Sequence, residues 1–200
     1  MNKACPNKPW NHSIQYHHMV LSAAPRGCQR VLDVGCGQGL LARQLTSRCQ
    51  EVIAIDRDRD VLSRARVCCL ESRVTLVEGD VMTHPFAAHS FDLITAVATL
   101  HHLPLRPALT RFRNLLRPGG VLAIIGLYRA QTLSDYALAA SAFPSSWILR
   151  LLWGHTDVGA PVQDPRETLR EIRSACDALL PGAVLRRHLL FRYSLLWRKP

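Results

Sequence analysis

Short apolar runs alternate with amphipathic stretches along most of the chain, the pattern of strands separated by helices. Val31-Leu32-Asp33-Val34 reads as a buried strand, and Gly39 to Arg48 follows as a helix with Leu40, Leu41 and Leu45 on one face. Val52 to Ile55 is a second strand. Asp58 is placed to cap the next helix, which turns Val61, Leu62, Ala65 and Cys69 inward. Val74 to Val77 and Phe91 to Val97 read as the third and fourth strands. A helix is expected from about Arg106 to Leu116, stopping at Pro118-Gly119-Gly120 before a fifth strand over Val121 to Gly126. Continuous β-branched runs between helices imply parallel strands buried on both faces and joined by right-handed crossovers.

The last quarter changes character. Asp164-Pro165-Arg166-Glu167 predicts a helix start, with Asp164 as the cap, Pro165 at the first position and Glu167 at the third. Leu169, Ile172, Cys176 and Leu179 form its inner face. Val184 to Leu190 and Tyr193 to Trp197 are two further strands, with only Phe191-Arg192 between them. So short a link forces an antiparallel hairpin. The expected fold class is α/β: a Rossmann-like, doubly wound seven-stranded sheet, mostly parallel with the last strand antiparallel.

Composition bounds this picture more than it sharpens it. The 200 residues suit a single domain, and a chain of that size hides about 70% of its unfolded surface. No apolar run follows the first charged residue, so no signal peptide is expected. The longest apolar stretches, such as Val121 to Leu127, fall far short of the ~20 residues of a membrane helix. The expected location is the cytoplasm, with no membrane insertion. The seven cysteines are scattered without CxxC spacing, and neither a disulfide framework nor a zinc site is expected. The net charge of +10 comes mainly from arginines spread along the chain. Weak, salt-sensitive attraction to RNA follows from that charge, but no specific nucleic-acid partner.

The chemistry concentrates in Val31-Leu32-Asp33-Val34-Gly35-Cys36-Gly37-Gln38-Gly39, a glycine turn between a strand and a helix. Dinucleotide sites carry GxGxxG, with the third glycine where Leu40 stands here. Asp33, two residues before the first glycine, would repel a pyrophosphate and attract a ligand bearing an ammonium and a sulfonium. Asp56 ends the second strand, where a carboxylate accepts from ribose hydroxyls. Asp80 follows the third strand and can accept from an adenine amino group, while the Val81 amide can donate to a ring nitrogen.

These residues resemble the class I S-adenosylmethionine-dependent methyltransferases, especially their small-molecule branch. The matching pieces are Asp33 to Gly39, Ile55-Asp56, Glu78-Gly79-Asp80-Val81, Phe91 to Ile94 with Leu100-His101-His102-Leu103, and Leu115-Leu116-Arg117-Pro118-Gly119-Gly120. They occur in family order across residues 31 to 127. The resemblance implies S-adenosyl-L-methionine as cofactor, held in the turn formed by Asp33, Gly35, Cys36, Gly37 and Gly39. It implies Asp56 on the ribose, Arg57 beside the adenine, Asp80 and Val81 at the adenine edge, and a Val97 carbonyl on the ammonium. One domain is expected over 1–200. Residues 1–29 form a helical lid, 30–127 the cofactor-binding core, 128–163 a substrate cap, and 164–200 a helix and hairpin. The cap segment carries Tyr136, Phe143, Trp147 and Trp153.

Methyl transfer from a sulfonium is an in-line displacement whose leaving group needs no acid, so the protein contributes mainly proximity and alignment. A base is required only for a protonated acceptor. His101 follows the fourth strand, and His12 and Tyr16 precede the first beside His17 and His18; His101, His12 and Tyr16 are the candidate catalytic residues. No metal is expected. Residues 96–104 read Ala-Val-Ala-Thr-Leu-His-His-Leu-Pro, without the Asn/Asp-Pro-Pro-aromatic run of the resembling nucleic-acid amino-methylating enzymes. A small-molecule methyl acceptor is the expected partner. An RNA methyltransferase and a catalytically inactive cofactor-binding partner protein are the other two readings.

Overall fold

The computed structural model describes residues 14–70, 73–131 and 164–200. A turn of 3-10 helix over Ile14–Tyr16 leads into α1 (His17–Ala23). Then come β1 (Arg30–Val34), α2 (Leu40–Leu45), β2 (Glu51–Asp56), α3 (Arg59–Cys68), β3 (Val74–Glu78) and β4 (Phe91–Val97). A 3-10 turn over Leu100–His102 precedes α4 (Leu105–Leu115), β5 (Leu116–Leu127), α5 (Leu169–Leu179), β6 (Val184–Arg187) and β7 (Arg192–Arg198). The strands form one seven-stranded sheet in the order β3-β2-β1-β4-β5-β7-β6. β1 to β5 pair in parallel and β7 runs antiparallel to both β5 and β6. The fold class is as expected. The order reverses between β1 and β4, where open α/β sheets place their ligands at the carboxyl ends.

The period-2 alternation of strands divides the core between the two faces. Leu32, Ile53, Ile94 and Leu122 pack with Leu109 and Phe112 of α4 and Ile172 of α5. Val31, Val52, Leu93 and Val121 face the other way, against Val20 of α1, Leu41 and Leu45 of α2 and Leu62 of α3. The central strands are apolar at both phases because helices cover both faces. Asp58 caps α3 as expected, its Oδ1 accepting from the Asp60 and Val61 amides at 2.9 and 3.0 Å.

Four details differ from the sequence expectation. β5 begins at Leu116, directly after α4 ends at Leu115, so Pro118-Gly119-Gly120 lies within the strand rather than between helix and strand. The cap of α5 is Thr168, which accepts from the Glu171 amide while Glu171 reaches back to the Thr168 amide, and the helix starts at Leu169 rather than after Asp164. A reciprocal box of this kind satisfies two orphan amides, one more than a lone aspartate would. The hairpin turn is centred on Leu190 and Phe191, both at φ 57°, and Arg192 already belongs to β7. Cys28 and Cys49 form a disulfide, with Cα atoms 4.6 Å apart, across the loops that enter β1 and β2. Among the described residues, Cys36, Cys68, Cys69 and Cys176 are also buried, as small apolar side chains are. Among the described residues no helix is long and apolar enough to cross a membrane.

Candidate functional site

The loop between β1 and α2 is shaped by its glycines. Gly35 has φ +66°, its amide donates to the Ile55 carbonyl at 2.8 Å, and a Cβ there would overlap the Thr99 side chain. Gly37 has φ +55°, and a Cβ there would meet nothing within 4 Å. What requires glycine at Gly37 is therefore backbone conformation and open space beside the chain. Next to this loop lies a cavity of about 250 Å³ at the carboxyl ends of the parallel strands, near the lower end of small-ligand sites.

Asp33, Gly35, Cys36, Gly37, Asp56, Arg57, Asp80, Val81 and Val97 all line this cavity. Gly39 does not. It is the N-cap of α2 at φ +76°, and a Cβ would press on Cys69 Sγ at 2.7 Å, so its glycine serves the packing of α2 on α3. The Cys36 thiol is buried, which pushes its pKa up and leaves it inert as a nucleophile.

Asp33 is 2% exposed. Its Oδ1 accepts from Thr95 Oγ1 at 2.7 Å, while Oδ2 is buried with no partner. Burial raises its pKa to about 7, against the Thr95 hydrogen bond, with the Asp56 charge adding to the rise. Asp56 accepts from the Asp58 amide at 3.0 Å through Oδ1 and from the Gly37 amide at 2.9 Å through Oδ2. It thus ties the end of β2 to the glycine loop, and each oxygen retains a lone pair for a ligand hydroxyl. Asp80 accepts from the Met82 amide at 2.9 Å, and Arg57 approaches it at 3.9 Å in a largely exposed pair of little energetic weight.

Two residues in this wall carry no signal in the sequence. Ala98 holds φ +53° at the end of β4, its amide donating to the Ile125 carbonyl at 2.7 Å. Thr99 Oγ1 donates to the Val97 carbonyl at 3.1 Å, the same carbonyl expected to face an ammonium. A left-handed alanine costs of order 1–3 kcal/mol and is kept where surrounding structure demands it.

The N-terminal segment and the turn after β4 supply further lining of the cavity. Ile14, His17, His102 and Leu103 line it. His17 is buried, and its Nδ1 donates to Gln44 Oε1 at 3.0 Å. His101 is not in the cavity wall. It lies behind His102, ring centroids 4.1 Å apart, buried and with Nδ1 unpartnered. Burial lowers its pKa to about 4, helped by His102 and Arg192, so its imidazole is neutral at pH 7. Tyr16 also stands outside the wall, its ring 5.1 Å from that of His188. His18 is exposed and bonds the Gln15 carbonyl at 2.7 Å, a surface role. His12 and the aromatic cap residues Tyr136, Phe143, Trp147 and Trp153 lie outside the described residues.

Taken together, these groups fit a ligand with a cation at one end and a nucleoside at the other. The orphaned Asp33 oxygen asks for a positive donor, Asp56 and Asp80 offer acceptors along the strand ends, and the Gly37 backbone leaves the space between open.

Residues 32–124 match the sequence profile of a family described as a methyltransferase domain. An uncharacterized methyltransferase of Mycobacterium tuberculosis is 36% identical over 196 residues, covering 97% of this chain and 99% of that protein. A ubiquinone biosynthesis O-methyltransferase of Xanthomonas axonopodis pv. citri is 33% identical over 153 residues, covering 74% of this chain and 62% of its own. Among solved structures, the N-methyltransferase NodS from Bradyrhizobium japonicum, in complex with S-adenosyl-L-homocysteine, superposes with a TM-score of 0.66. It is 18% identical and covers 98% of this chain and 94% of its own.

Proposed function

The chain belongs to the class I S-adenosylmethionine-dependent methyltransferases, and on that premise we propose that it methylates a small molecule by in-line displacement. Its cofactor is S-adenosylmethionine. When bound, that cofactor supplies a methyl group activated on a sulfonium. We assign Asp33, Gly35, Cys36, Gly37 and Val97 to its aminoacyl end, Asp56 to the ribose, and Arg57, Asp80 and Val81 to the adenine. Gly39 supports the loop from behind.

The observation that carries the small-molecule reading is the cover over the crevice. Ile14 and His17 of the N-terminal segment line the cavity together with His102, so this segment covers part of the crevice that the acceptor must enter. A nucleic-acid strand needs an open, basic groove. The curated relative named for ubiquinone biosynthesis supports the same class of acceptor. We read 1–200 as one domain in which 1–29 is the lid and 128–163 the acceptor cap.

Proton removal, where the acceptor requires it, falls to His102, which lines the cavity, with the His101 ring stacked against it. His17 orders the acceptor side and excludes water. Turnover of labelled S-adenosylmethionine against a metabolite extract, with and without added RNA, tests this reading. Label should enter small molecules. Label appearing only in RNA would reverse it, and binding of S-adenosylhomocysteine with no transfer to any fraction would favour an inactive partner protein.

A further inference from the structure

Arg192 is the first residue of β7 and pairs in register with Leu127, at the carboxyl end of β5. It therefore stands at the ligand-binding end of the sheet. The residue is half-buried, and its Nε is buried without a hydrogen-bond partner. Its Nη1 donates to the Leu190 carbonyl at 3.1 Å. Among the described residues the ion pairs are Arg30–Glu51, Arg57–Asp80 and Arg117–Asp92, and no carboxylate pairs with Arg192. A cation withdrawn from water without a counter-ion is a cost that a fold retains for a reason.

The groups around it are complementary to an anion. His101, whose buried Nδ1 also lacks a partner, belongs to the 3-10 turn that packs against β5, the strand whose end Arg192 borders. Tyr16 lies against the His188 ring at 5.1 Å, and the His188 amide donates to the Arg192 carbonyl at 2.8 Å. His188 Nε2 is in turn hydrogen-bonded to Ser194 Oγ at 2.7 Å. The cluster adjoins the cavity through two neighbours, since His102 stacks on His101 and His17 follows Tyr16, and both line the cavity. The turn that sets Arg192 is itself strained. Leu190 and Phe191 both hold φ 57°, where hairpins ordinarily use Asn-Gly. Phe191 is fixed by Tyr128, whose amide donates to its carbonyl at 3.0 Å and whose ring meets it edge-on at 6.3 Å. Strain of this kind persists only where the surrounding structure holds the chain in one position.

We propose that Arg192 and His101, flanked by Tyr16, form an anion-docking subsite beyond His102, and that the methyl acceptor carries an anionic group, carboxylate or phosphate, that docks there. This deepens the methyltransferase reading above and rests on it. A guanidinium presents a planar fork that matches either oxyanion bidentately, and the neutral His101 supplies a further polar partner. Burial lowers the Arg192 pKa from its usual value, partly offset by Tyr16, which is the cost an incoming anion would relieve.

The test titrates the full chain, loaded with S-adenosylhomocysteine and also ligand-free, with hexanoate, hexyl phosphate and hexanol. Binding of one or both anions with no binding of hexanol supports the subsite, and preference between the anions identifies the oxyanion. Arg192→Gln should lower anion affinity about tenfold or more while S-adenosylhomocysteine affinity stays at the wild-type value, which also shows that the variant is folded. Should that variant not fold, phenylglyoxal modification of wild-type Arg192, mapped by mass spectrometry, decides the matter: the anions should protect it and hexanol should not. Hexanol binding as well as the anions, binding of neither anion, or an Arg192→Gln chain that keeps full anion affinity overturns the proposal. The S-adenosylhomocysteine titration reads the cofactor assignment separately, so either can fail alone.

Discussion

Asp33 and Thr95 face each other across β1 and β4, and the Thr95 hydroxyl donates to Asp33 Oδ1 at 2.7 Å inside the core. One carboxylate oxygen is thereby pinned and the other left buried with no partner. Ionising such a group is costly until a cation arrives. Its folded pKa is raised from the ordinary 3.8 to about 7. Stability from such a group is complete below the unfolded value and is lost as pH rises through the folded one. Ligand-free Asp33→Asn should therefore gain melting temperature relative to wild type as pH rises from about 4 to about 7. A bound ammonium favours the carboxylate, so S-adenosylhomocysteine affinity should climb over the same interval, by up to about tenfold per pH unit, and then level off. Calorimetry finding a flat profile in the wild type would show that the ligand does not meet Asp33.

Gly35 and Gly37 should respond differently to alanine. Gly35→Ala drives a methyl group into Thr99 at φ +66° and should cost stability as well as ligand affinity. Gly37→Ala meets nothing within 4 Å, so its cost in the ligand-free chain is limited to the left-handed conformation, about 1 kcal/mol. Its cofactor affinity should nevertheless fall at least as far as that of Gly35→Ala, because the added methyl occupies space beside the chain. Melting curves paired with S-adenosylhomocysteine titrations separate the two. Equal losses of stability would contradict this account.

The parts of the fold that were legible are those written in long, redundant signals. β1, β2, β4 and β5 are apolar at successive positions because both faces are covered, and Asp33, Asp56 and Asp80 stand at or just beyond strand ends where the topology must gather them. What escaped depends on choices between near-equal local signals or on distant pairing. Asp164-Pro165 and Thr168-x-x-Glu171 both read as helix starts four residues apart, and the reciprocal box won. The hairpin turn sits on Leu190 and Phe191, which carry no turn chemistry of their own and are held by Tyr128. Cys28 and Cys49 are 21 residues apart and meet only because β1 and β2 are neighbours. Which of His101 and His102 faces the cavity is settled by a single 3-10 turn whose rotation no periodicity encodes.

Asp56 and Asp58 are two residues apart and do different work. Asp58 caps α3, so Asp58→Ala should lower stability by about 1 kcal/mol. Asp56 joins the Gly37 amide to the end of β2 and is assigned the ribose hydroxyls. Charge-assisted hydrogen bonds contribute about 1.5–3 kcal/mol each, so Asp56→Ala should weaken S-adenosylhomocysteine binding by roughly tenfold or more. Asp56→Asn, which keeps one carbonyl acceptor, should fall between. Unchanged affinity in Asp56→Ala, with only a stability loss, would reduce Asp56 to a brace for the loop.

The N-terminal segment should behave as a lid whose latch is one hydrogen bond. His17 is buried over the cavity and fixed by Gln44 at 3.0 Å, and Val20, three residues on, is 1% exposed in the core. Val20 anchors α1 whatever the pH, so the pH-sensitive contact is His17. Burial lowers its pKa below the ordinary 6.5, against the Gln44 hydrogen bond. A histidine lowered in this way contributes stability that is whole above its unfolded value and is lost as pH falls toward its folded one. Acidification from pH 7 into the range below 6.5 should therefore loosen α1 while the sheet stays intact. Hydrogen exchange of the α1 amides, divided at each pH by the rates of His17→Asn to remove the chemical pH dependence, reads this loosening directly. The ratio should rise as pH drops through 6.5 and stay level above it. Gln44→Ala, which keeps the imidazole but removes its partner, should raise exchange at every pH. A ratio independent of pH would leave His17 a passive wall of the cavity.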